Sequence, residues 1–108
     1  EKHQQEMVFS QAESQITVNP ENAIQLFKDA IQFDLKSELA VSAAYTISYH
    51  YDQTAEIDSA LKYYQWIQEN HPRSAQSQSA GKRIQTLQMV LSSMEAFTDS
   101  VNINQDEN

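Results

Sequence analysis

The chain contains no cysteine. That excludes disulfides, thiolate metal sites and cysteine nucleophiles. Glycine occurs once, as Gly81, and proline twice, as Pro20 and Pro72. So few turn residues argue against an all-β fold, and a lone glycine cannot make a glycine-rich phosphate loop. Basic residues are sparse. Lys and Arg number 7 against 15 Asp and Glu, for a formal net charge of -8. An acidic chain repels phosphate backbones, so nucleic acid is not an expected partner, and neither is an anionic membrane surface. No run approaches the roughly 18 apolar residues of a membrane span, so this segment is not expected to insert. The sequence starts at Glu1 with no methionine, which suggests a processed form or an excised piece.

What is present is helical periodicity. The length of 108 residues fits one domain with one core. A first helix is expected from about Lys2 to Thr17, on the spacing of Met7, Val8, Ala12 and Ile16. "VNPENAIQLFKDAIQFD" opens a second, with Asn19 at the N-cap, Pro20 at the first helical position and Glu21 facing the positive end of the dipole. Ala23, Ile24, Phe27, Ala30 and Ile31 form its apolar stripe. Ser37 caps a third helix, whose buried face carries Ala40, Ala43, Ala44, Ile47 and Tyr51. A fourth starts at Thr54 or Asp58, buries Ile57, Ala60, Leu61, Tyr64 and Ile67, and ends before Pro72. Ser74 opens a fifth, with Ala80, Ile84, Leu87, Leu91 and Met94 in line, running as far as Phe97. The reading is one all-α domain over 1–98 and a polar, acidic, disordered tail over 99–108.

Two kinds of helix alternate with one period. Ser37 maps to Ser74, Ala43 to Ala80, Ile47 to Ile84, Ala23 to Ala60 and Phe27 to Tyr64, each pair 37 residues apart. A simple bundle has no reason to do this. "AIQLFKDAIQFD" and "ALKYYQWIQENHP" resemble the second helix of a tetratricopeptide repeat (TPR). Ala60, Tyr64, Ile67 and Pro72 fill that family's small, aromatic, apolar and proline places, and Tyr51 fills the aromatic place ending the preceding helix. Ala23, Phe27 and Ala30 fill the earlier repeat, where Leu35 replaces the proline. "HPRSAQSQSAGKRI" is similar to the link between repeats in bacterial envelope TPR proteins, such as outer-membrane assembly lipoproteins and Tol–Pal coordinators. The sequence departs from the family in its period, which is 37 where 34 is typical. It departs also in Ala44 and Ser48, where a bulky aromatic and a glycine are usual. The resemblance implies a TPR-like solenoid of about five antiparallel helices, or about two and a half repeats. It leans towards a periplasmic or envelope setting.

Catalytic chemistry finds little support. His3, His50 and His71 include no i, i+4 pair, so no metal site is expected, and no cofactor. Acidic pairs such as Glu56 and Asp58 sit at helix starts, where they complement the dipole. Gly81 reads as a point of close helix packing at the position matching Ala44. Arg73, Lys82 and Arg83 cluster near the last helix, as a solvated face or a small positive spot for an acidic segment.

The expected function is protein–protein interaction, as scaffold or adaptor. By the family resemblance, a partner segment would lie along the first helix of each repeat. Those places fall on Ser42, Tyr45, Tyr49 and Asp52, then on Ser79, Lys82, Thr86 and Met89, and in the first repeat near Gln5, Val8, Ala12 and Gln15. Tyrosines stand where chaperone-tail-binding TPRs carry a basic and asparagine clamp, so a carboxylate clamp is not expected. Tyr63 and Trp66 form a second candidate surface on the convex side, either covered by the N-terminal segment or the residues around Phe97, or used as an interface. The alternatives are a homodimer built on the same surfaces and a regulatory domain excised from a larger enzyme.

Overall fold

The computed structural model describes residues 2–106, with side-chain surroundings for residues 3–98. The architecture is all-α: α1 (Lys2–Gln15), α2 (Pro20–Phe33), α3 (Glu38–Gln53), α4 (Ile57–Asn70) and α5 (Ala75–Asp106), with no strand among the described residues. Each helix packs on the next, and α3 also touches α1 and α5, so the odd-numbered helices lie side by side. The alanines of α3 allow this. Ala40, Ala43 and Ala44 are fully buried, and a small side chain lets a neighbouring backbone approach closely. The aromatics Phe27 and Tyr64 fill the spaces between paired helices.

The helix starts follow local chemistry. The Asn19 side chain accepts from the Asn22 amide, and Ser37 Oγ accepts from the Ala40 amide. The start of α4 differs from expectation. Neither Thr54 nor Asp58 caps it; Glu56 holds the N-cap and makes no side-chain cap bond. Instead the end of α3 sets the entry. The Ala55 amide donates to the Asp52 carbonyl and the Glu56 amide to the Tyr51 carbonyl, the paired bonds of a Schellman close. Ala55 takes the left-handed conformation this needs, at φ 62. At the other end of the chain, α5 continues to Asp106, past the expected stop near Phe97. The backbone of 99–106 is therefore helical where disorder was expected; Glu107 and Asn108 lie outside the described residues.

One turn occurs twice. Ser37 Oγ donates to the Asp34 carbonyl at 3.1 Å, and Ser74 Oγ donates to the His71 carbonyl at 2.8 Å. Each hydroxyl also accepts an amide three residues on, from Ala40 and Ser77, at 3.0 Å. The two turns are joined directly, since His71 Nε2 lies 2.8 Å from the Leu35 carbonyl oxygen.

Aromatic packing also recurs. Phe9 meets Phe27 edge-on with centroids 5.3 Å apart, and Tyr45 meets Tyr64 edge-on at 6.1 Å. Phe27 and Tyr64 are 37 residues apart, but Phe9 and Tyr45 are 36 apart. The register of α1 is therefore one residue off the shift used to read the sequence. This corrects the face assigned to α1. Gln5 and Ala12 are fully buried, so they do not face a partner. The Gln5 amide donates to the Ala30 and Asp34 carbonyls, completing the end of α2.

The two ends of the helical row are polar. On α3, Val41, Ala44 and Ser48 are buried; their counterparts on α5 are Gln78, Gly81 and Gln85, with both glutamines exposed. The face of α3 that carries Ala40, Ala43 and Ile47 is kept on α5 as buried Ser77, Ala80 and Ile84. At the other end, the counterparts of Ala40, Ala43 and Ile47 on α1 are Gln4, Met7 and Gln11, all exposed. Only Met7 among these is apolar. Neither end face offers the buried stripe that a further helix of the row would pack against.

Candidate functional site

The face shared by α1, α3 and α5 is the first candidate. Tyr49 projects from the middle of α3 and is 54% exposed. Tyr45, one turn earlier, is half-buried, because its ring leans on Tyr64. Ser42 is half-buried, and its carbonyl accepts the Thr46 hydroxyl. On α5, Ser79, Lys82, Thr86 and Met89 are all exposed. With the one-residue correction, Glu6, Phe9 and Glu13 take the matching places on α1; both glutamates are exposed. The face thus runs from carboxylates on α1, through tyrosines on α3, to a lysine and a methionine on α5.

Asp52 has a different role from the partner-facing one that the family resemblance implied. Its side chain is 7% exposed and forms a two-bond ion pair with Arg83 of α5. The N–O distances are 2.8 Å from Nε to Oδ2 and 2.7 Å from Nη2 to Oδ1. Tyr64 of α4 donates its hydroxyl to Oδ2 at 3.0 Å. One carboxylate therefore ties three helices together. The guanidinium hydrogen bonds, and then the Tyr64 hydroxyl, hold the Asp52 carboxyl below the usual carboxylate range, although burial opposes them. Burial first, and the same carboxylate second, push the Tyr64 phenol well above its usual range. Sequence reading missed the pair, since residues 31 apart on two helices leave no local pattern. The Arg83 guanidinium is spent here, which leaves Lys82 as the exposed cation beside the face.

The second candidate, Tyr63 and Trp66, is half-buried. The cover is not the one expected. Among the described residues α1 touches only α2 and α3, and Phe97 is itself 71% exposed. Tyr63 instead lies 6.3 Å from Tyr51, with the Lys28 and Lys62 ammonium groups each 5.8 Å from its ring. Lys28 donates to the Tyr51 hydroxyl at 2.9 Å, and this bond raises its pKa above the ordinary lysine value. Trp66 rests 5.5 Å from the His71 ring. The two aromatics edge an open cleft between α2 and α4, with Gln32, Asp58 and Glu69 on its walls.

Among the described residues no three His, Asp or Glu side chains stand close enough to hold a metal ion. No described helix is long and apolar enough to cross a membrane. No family model matches the chain, and neither the curated proteins nor the solved structures give a match.

Proposed function

We propose that the chain is an interaction module of the tetratricopeptide kind, a short helical-repeat adaptor that holds a segment of another protein against the face of α1, α3 and α5. The observation that carries the reading is Tyr49. A tyrosine more than half exposed, on a helix whose opposite side is closed core, is a rigid amphipathic anchor that loses little entropy on binding. The recurring serine turn and the recurring edge-on aromatic pair support the repeat architecture. The face suits a segment with one or two apolar anchors for Tyr49 and Met89, basic where it passes Glu6 and Glu13 and acidic near Lys82. The similarity of the His71–Ile84 link to envelope repeat proteins makes a bacterial envelope complex the setting to test first.

The experiment is a selection of displayed segments of about 15 residues on the immobilised protein, read out by titration of the winners. Tyr49→Ala should weaken the winners by about tenfold or more, the loss of about 1.4 kcal/mol. It should leave the melting curve in place, since the ring is outside the core. Winners that bind the variant as tightly as the parent would overturn the assignment of this face.

A further inference from the structure

The C-terminal half of α5 carries a surface that the described chain leaves largely open, bordered only where the start of α4 approaches Leu91 and Met94. Val90, Met94 and Phe97 are exposed, the last two at 54% and 71%. They follow buried Leu87 at intervals of three, four and three residues. That 3–4 spacing is the narrow seam of a two-stranded coiled coil, and it is too narrow for a helix that packs into a globular core. Thr86, Ser93 and Thr98 flank the seam. From Gln85 to Thr98 the sequence holds one charged residue, Glu95, in a chain whose net charge is -8. Charge depletion around an exposed apolar stripe is the compositional mark of an interface core.

The charge also bears on the occupant. Two copies of so acidic a molecule repel one another, and the place where they meet must be nearly free of carboxylates. Within α5 this stretch holds a single carboxylate, which follows Met94 directly and so turns away from the seam. Glu56 and Asp58 at the start of α4 border it at Met94, and their charge is what added salt would screen. The end faces of α1 and α5 favour head-to-tail stacking less, because they present Gln4, Met7 and Gln11 on one side and Gln78, Gly81 and Gln85 on the other, where a continuous apolar stripe is needed.

We propose that two copies of the chain pair through this seam, with the C-terminal halves of their α5 helices antiparallel about a two-fold axis. The antiparallel direction sets Val90 of one copy against Phe97 of the other, small against large, with the two Met94 side chains near the axis. It also sends the two acidic bodies to opposite ends of the pair, whereas a parallel pairing brings them side by side. The sequence beyond Thr98 carries Asp99, Asp106 and Glu107 and no Lys or Arg. The antiparallel direction leads that end of the helix towards Lys82 of the second copy.

The test is the mass of the intact chain by sedimentation equilibrium, from about 5 to about 500 μM. The expected mass rises from 12.4 kDa towards twice that value, and rises further at high salt, which screens like charges. Met94→Glu and Phe97→Glu should each weaken association at least about tenfold. Both side chains are exposed in the single chain, so its helical spectrum and melting point at low concentration should not move. Because the chain has no cysteine, direction is read from introduced ones. Ser93→Cys should link copies on oxidation. Val90→Cys should not, since antiparallel pairing parts the two positions by about 10 Å. A monomer at every concentration, a dimer indifferent to Met94→Glu, or a chain that links through Val90→Cys would each overturn the proposal. None of these variants alters Tyr45 or Tyr49, so failure here is separable from failure of the partner-binding reading.

Discussion

Asp52 stands at the meeting point of three helices, and its chemistry makes acid stability a direct readout. Its folded carboxyl binds a proton more weakly than the unfolded one, because Arg83 and Tyr64 hydrogen-bond the charged form. The sign follows. The contribution is fully present above the unfolded carboxylate value, near 4, and is lost as pH falls through the lowered folded value. Asp52→Asn should therefore cost about 1 kcal/mol at neutral pH and flatten the acid limb of the stability curve, as measured by urea unfolding at stepped pH. The magnitude is kept small because the Arg83 side chain is 41% exposed and regains water when its partner is neutral. Tyr64→Phe keeps the ring and removes one hydrogen bond, at about 1 kcal/mol, whereas Tyr64→Ala empties the core at about 3–5 kcal/mol. If Tyr64→Phe proves as costly as Tyr64→Ala, the hydroxyl and not the ring is what the core requires.

The helices show where sequence was legible and where it was not. Asn19, Ser37 and Ser74 announce their helices because each side-chain oxygen bonds an amide within three residues, and a local bond leaves a local pattern. The start of α4 left none, since its geometry comes from the Schellman close of α3, and Ala55 is not the glycine that usually marks one. The face of α1 was misread by one residue because the shift between first helices is 36 there, while the clearer helices gave 37. The end of α5 was missed because the sequence from Asp99 to Asp106 is mostly polar, with Val101 and Ile103 too few to show a helical period. The two small residues exchange their usual places. Ala55 has positive φ, where glycine avoids a steric cost, so Ala55→Gly should raise stability by about 0.5–1 kcal/mol. Gly81 sits inside α5, and a Cβ there meets only the Gln68 side-chain amide, at 2.8 Å. The close helix packing expected from its match to Ala44 is here an approach to a side chain of α4 and not to its backbone. Gln68 is exposed and its end can swing aside, so Gly81→Ala should also stabilise, by about 0.5–1 kcal/mol. Thermal melts of the two variants and their combination check both, and the sites are on different turns, so the gains should add.

At the scale of the molecule, the extents of 62 × 32 × 18 Å reflect α5, whose 32 residues reach beyond the packed helices. Amide exchange on a dilute sample should show strong protection from Ala80 to Leu87, where the core-facing side chains are buried, and weaker protection from Ser92 to Thr98, where the side chains are exposed. Equal protection along the whole of α5 in a monomeric sample would contradict the exposure of Met94 and Phe97.

The polar end faces have a consequence for how such a molecule changes length. Because Ser37 and Ser74 begin similar turns, a duplicate of the segment from Ser37 to Arg73, inserted before Ser74, keeps α5 on one side and takes the original α3 and α4 in place of α1 and α2 on the other, so that the original Asp52 faces Thr46 of the duplicate where it had Arg83. Glutamine faces still terminate the enlarged row. Added material at either flank meets Gln4, Met7 and Gln11 or Gln78, Gly81 and Gln85, with no continuous apolar stripe. On the repeat architecture proposed above, internal duplication keeps an apolar stripe at each new junction, whereas the described end faces of α1 and α5 carry no continuous one. A lengthened variant should stay monodisperse at low concentration and unfold at a higher midpoint, each inserted helix pair bringing one more nearest-neighbour contact surface.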